Sequence, residues 1–160
     1  MRHLTLVAAI AGIAVLPLTL AAQHQAHQHP DARAHHGMGF DQKTSTHHFL
    51  LERTGGTIEV TATPLASPES ADQIRTHLEH IATAFGVGDF SLPVFIHDTE
   101  PPGVATMKAK RQAMKFSYQR LDRGGRVVIR TDDVDALAAL HEFLRFQIRE
   151  HRTGDPTSPK

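Results

Sequence analysis

Two stretches constrain the fold more than anything else in the chain: FLLERTGGTIEVTAT at 49–63 and FSYQRLDRGGRVVIRT at 116–131. Each is an alternating run, a Gly-Gly interruption and a returning run. In the first, His47, Phe49 and Leu51 share one face, Thr54-Gly55-Gly56 breaks the run, and Ile58, Val60 and Ala62 return. Thr57, Glu59, Thr61 and Thr63 fall on the other face. In the second, Phe116 and Tyr118 lead to Arg123-Gly124-Gly125 and then to Val127-Val128-Ile129. Period-two alternation around a glycine pair predicts a β-hairpin with one buried face. The Gly-Gly pairs are expected at the turns.

A helical pattern follows each hairpin. Ser67-Pro68 reads as a cap with proline in the first turn, and Ile74, Leu78, Ile81 and Phe85 recur at helical spacing before Gly86 and Gly88. Asp132 or Asp133 caps a helix carrying Leu137, Leu140, Leu144 and Ile148. Asp72, Ile74, Ile81 and Phe85 match Asp135, Leu137, Leu144 and Ile148 at one offset, which suggests an internal ββα duplication, 47–86 and 114–151. One ββα unit cannot cover its own apolar face. The expected fold is therefore α+β: a two-layer sandwich, with a four-stranded antiparallel sheet from two ββα units and both helices on one face. Between the units, Pro101-Pro102-Gly103 forces a turn, and Val104, Met107 and Arg111 fit a short helix.

The N-terminus, MRHLTLVAAIAGIAVLPLTLAAQ, has a basic Arg2, an apolar run from Leu4 to Leu20 and small residues at Ala21 and Ala22. That is the pattern of a secretory signal peptide over 1–22. The mature protein is expected in the periplasm or secreted, touching a membrane only if the leader stays uncleaved. Residues 23–45 read as a polar, histidine-rich arm, and 46–155 as the folded domain. There is no cysteine, which excludes disulfides and thiolate metal sites. Lys plus Arg and Asp plus Glu are both 17, so losing Arg2 leaves 16 against 17. Such a balance offers no basic surface for nucleic acid.

Histidine is the outlier. His24, His27, His29, His35, His36, His47 and His48 place seven of the chain's 13 histidines between Gln23 and His48. On the arm, His24, His27, His29, His35, His36 and Met38 offer imidazole and thioether ligands suited to copper, with zinc or nickel as alternatives. Cleavage after Ala21 leaves Ala22-Gln23-His24, whose amine, two amides and imidazole suit square-planar Cu(II) or Ni(II). Cleavage after Ala22 removes that site. In the domain, His77 and His80 lie at i, i+3 on the first helix, His141 lies in the apolar stripe of the last, and His47 shares the face of Phe49. His47, His77 and His141 thus point at or near one core layer. They are either satisfied core histidines or ligands of a shared metal site, with His97 or Met107 as a further ligand.

No nucleophile motif, phosphate loop, dinucleotide fingerprint or HExxH is present, and HLEH at 77–80 has the wrong spacing for a zinc helix. The reading is a non-enzyme. The stretches HHFLLERTGGTIEV, IRTHLEHIATAFGVGDF, PPGVATM and LHEFLRFQIREHRTGD resemble a family of small exported bacterial proteins of unestablished function, some carrying an aspartate carbamoyltransferase label. The resemblance covers 38–155 and implies one exported domain. It does not carry that label's activity, because the chain is too short for the enzyme's two-domain catalytic chain and lacks its STRT-type phosphate loop. The expected function is binding or buffering of a transition metal, copper favoured. The alternatives are a structural or interaction module with incidental histidines, using Phe143 and Phe146 toward a protein partner or a second copy, and a metal-dependent hydrolase.

Overall fold

The computed structural model describes residues 37–160. The leader expected over 1–22 and most of the expected arm, with His24, His27, His29, His35 and His36, lie outside the described residues. The elements run β1 (Ser45–Glu52), β2 (Gly55–Ala62), α1 (Ser70–Gly86), α2 (Ser91–His97), α3 (Val104–Ala109), β3 (Met114–Leu121), β4 (Gly124–Thr131) and α4 (Val134–His151). The strands form one antiparallel sheet in the order β1-β2-β4-β3, with helices packed on it, an α+β fold as expected. Among the described residues no helix is long and apolar enough to cross a membrane.

The two hairpins are related by a constant 69 positions, from Ser45 to Met114 and from Ala62 to Thr131. Their inner strands pair antiparallel, Gly55 opposite Arg130 and Thr61 opposite Gly124, so a pseudo-two-fold relates the halves of the sheet. The helices cross over. α1 lies mainly on β4 and β3, and α4 on β1 and β2, so each unit's helix covers the other unit's hairpin. The helix offset read from sequence matches in burial at Ile81 with Leu144 and at Phe85 with Ile148, but not at its first apolar pair. That alignment pairs Ile74 with Leu137, yet Ile74 is buried and Leu137 only half-buried.

The turns fall on Arg53-Thr54 and Asp122-Arg123, and both Gly-Gly pairs begin the returning strands instead. The reason is close approach. A Cβ at Gly55 would overlap the Ile129 carbonyl oxygen, and one at Gly124 the Val60 carbonyl oxygen, the same contact repeated across the pseudo-two-fold.

Asp133 caps α4 by accepting from the Asp135 and Ala136 N–H groups at 3.0 and 2.9 Å. The first helix starts two residues later than Ser67-Pro68 suggests, at Ser70 after an uncapped Glu69. The core contains Ile74, Leu78, Leu140, Leu144, Val127 and Ile129 at the helix–sheet interface. Burying each such side chain contributes about 1.5–3 kcal/mol.

The central connection covers the outer side of α4. Phe90 stacks on Phe85 with centroids 4.3 Å apart, and both meet Phe143 edge-on. Phe143 is therefore 1% exposed, and Phe146 sits half-buried with its ring 5.0 Å from that of His97. The surface expected to offer both rings to a partner is closed by the chain itself at Phe143. Met107 is fully buried in the core. The folded part also starts earlier than Thr46. Met38 and Phe40, at 7% and 2% exposure, pack into the core, so Met38 is not a ligand on a loose arm.

At the other end, the chain beyond α4 lies along the β1 edge. Asp155 accepts from the Phe49 N–H at 2.9 Å and pairs with His48 Nδ1 at 2.9 Å. The Lys160 N–H donates to the Leu51 carbonyl. Burial works against the Asp155 carboxylate, but hydrogen bonds from Thr153, Phe49 and His48 outweigh it and hold its pKa below the usual value.

Candidate functional site

The site grows out of the start of β1. Alternation turns His47 inward beside Phe49, and its ring enters an aromatic row: 5.8 Å from Phe40, 6.5 Å from Phe49 and 5.5 Å from His151. His151 is on the last turn of α4. That turn reaches the start of β1 because α4 crosses onto the first hairpin. From the central connection, His97 on α2 brings its ring to 5.4 Å from His151, nearly perpendicular to it. His77 on α1 closes the fourth side, its ring 5.3 Å from Phe40.

These four imidazoles line one cavity of about 60 Å³, which also meets Met38, Ile58, Leu78, Ile96 and Gln147. That is room for a few waters or a small guest. None of the lining residues carries a carboxylate.

Burial dominates the electrostatics. It pushes His47 down to about 4, helped by His48. It pushes His77 down to about 4, helped by His47 and then His80. His151 falls furthest, to about 3, by burial and then by His47 and His97. His97 is lowered by burial, against the raising influence of Gln147 and Glu150. Part of the His47 ring edge meets solvent, but its Nε2 is buried. All four are therefore neutral at pH 7, with lone pairs available.

The hydrogen bonding is incomplete. His97 Nε2–H donates to Gln147 Oε1 at 3.1 Å, which leaves the His97 lone pair on Nδ1. Gln147 is 4% exposed, and its amide nitrogen has no partner. His47 Nε2 is likewise buried without one. Buried polar atoms are nearly always paired, so two orphans facing one cavity mark an unusual place.

Of the domain residues singled out from sequence, His47 and His77 come together here. His141 does not. It is 8% exposed, and its Nε2–H donates to the Glu52 and Gly55 carbonyls, each at 3.0 Å, closing the β1–β2 turn. His80 is exposed on α1 outside the cavity. His151 takes the place expected of His141, and His97 joins as the connection's contribution.

The four rings do not form a ready metal centre. Among the described residues no group of three or more His, Asp or Glu is set to hold an ion. The His47 and His151 rings lie only 19° from parallel, so one must turn before both nitrogens meet at a point. No protein-family model, curated protein or solved structure matches the chain.

Proposed function

We propose that this is an exported, non-enzymatic protein that binds or buffers a transition metal, copper before zinc or nickel. The histidine-lined pocket would hold the ion, and the arm histidines would capture it. One observation carries the reading: His47, His77, His97 and His151 line one cavity as neutral imidazoles, and the buried His47 Nε2 has no partner. Neutral imidazole is the form that ligates metal.

Calorimetric titration of the full-length protein with Cu(II) and Zn(II) tests it, alongside the fivefold variant with His24, His27, His29, His35 and His36 changed to Ala. Binding that survives in the fivefold variant and falls with His151→Phe supports the pocket. Heats no larger than those of an unrelated control protein would sink the metal reading.

A second reading keeps the histidines structural, in an interaction module. Its support is the packing: the His47 and His151 rings stack as core aromatics do, and His141 is wholly used in tying a turn. Under it, His47→Phe and His151→Phe change stability and no binding property.

A further inference from the structure

We infer that the pocket at the junction of β1, α1, α2 and the end of α4 is a site for monovalent copper, Cu(I), held by imidazoles of the His47–His151–His97 group together with the Met38 thioether. This rests on the metal-binding reading above and narrows it to one ion and one set of side chains.

Charge is the first argument. The cavity walls are apolar side chains, imidazoles, one thioether and one amide, and no lining residue carries a carboxylate. With no cysteine in the chain, no thiolate is available either. A divalent ion would bring two uncompensated charges into a low-dielectric space. The Born cost of burial rises with the square of the charge, so a single charge costs about a quarter as much. Natural Zn(II) sites usually meet that cost with thiolates, carboxylates or an open water position.

Coordination number is the second. Zn(II) asks for four ligands in a tetrahedron. Cu(I), with a filled d shell, accepts two or three. The described residues hold no ready group of three or more His, Asp or Glu, so a four-ligand ion would demand more rearrangement than a two- or three-ligand one. His151 is the common neighbour, with ring centroids 5.5 Å from His47 and 5.4 Å from His97. Two-coordination asks fewer of these side chains to reorient than a tetrahedral site would.

Softness is the third. Met38 is drawn from the segment before β1 into the pocket wall at 7% exposure. A thioether has little affinity for Zn(II) and selects Cu(I). The His97 Nε2–H bond to Gln147 Oε1 supplies the outer support that ligating imidazoles commonly have, and it fixes which nitrogen keeps the lone pair.

The test is an anaerobic competition titration of the full-length fivefold arm variant with Cu(I), using bicinchoninate as the competing chelator, and a parallel Zn(II) titration. One Cu(I) per chain is expected. Met38→Leu and His151→Phe should each weaken it by at least about tenfold, with melting temperature and circular dichroism checked for each. X-ray absorption should show a copper–sulfur shell that Met38→Leu removes. His97→Gln serves as the second probe if His151→Phe does not fold. Cu(I) affinity unchanged by these substitutions overturns the inference, and so does Zn(II) bound as tightly and with the same sensitivities. If the unsubstituted chain binds metal and the arm variant binds none, this inference falls and the wider reading stands. If the unsubstituted chain binds no metal, both fall.

Discussion

His47 and His141 are both inward-facing histidines of one domain, and they behave oppositely. His141 spends its Nε2–H on the Glu52 and Gly55 carbonyls and so ties α4 to the β1–β2 turn. His141→Ala should therefore destabilise the fold by about 1–3 kcal/mol, read by urea denaturation, and leave metal binding of the folded protein unchanged. His47 has no such duty. Its Nε2 is an orphan inside an aromatic row of Phe40, Phe49 and His151. His47→Phe should raise stability by about 1 kcal/mol while weakening metal binding. A loss of stability instead would show that the imidazole has a structural partner. Helical angle in the sequence places His141 in the buried stripe correctly, but it cannot choose between His141 and His151 for the pocket. They lie ten residues, about 15 Å, apart along α4, and only the packing of that helix on β1 sets which level meets His47.

Among the elements, the start of α4 has a side-chain cap and the start of α1 does not. Asp133 carries the cap of α4, so Asp133→Ala should cost about 1 kcal/mol, whereas Glu69→Ala at the uncapped start of α1 should cost little. Thermal melting of the two variants separates them. Gly124→Ala should cost about 1–3 kcal/mol through overlap with the Val60 carbonyl. A neutral result would mean that the strands can part without strain. The hairpins themselves were legible because alternation is a local property. The role of Gly55-Gly56 and Gly124-Gly125 was not. A glycine needed for a turn and one needed for strand approach look alike until the pairing of β2 with β4 is known. The central connection was legible at α3, through Val104 and Met107, but α2 was not, because its apolar stretch Val94-Phe95-Ile96 is too short for a helical period to show.

Across the whole molecule, the pocket histidines couple stability to pH. His47, His77 and His151 have folded-state values of about 4, 4 and 3, below the ordinary 6.5. Above pH 6.5 both folded and unfolded chains hold them neutral, and stability is full. As pH falls below 6.5 the unfolded chain takes up protons that the folded one refuses, so stability drops until the folded values are reached. At pH 5 the loss is about 2 kcal/mol for each of the three. Urea midpoints at pH 7 and pH 5 should show it, and His151→Phe should reduce it. A flat profile would mean that water reaches these rings freely. The crossing of α1 and α4 has a different consequence, for the order of events as the chain is made. The first hairpin waits for α4, the last helix in the sequence, to cover it. Until residue 131 has emerged, α1 also lacks its seat on β3 and β4. Neither half can complete its core early, because the first hairpin is covered only once α4 has been made through residue 151.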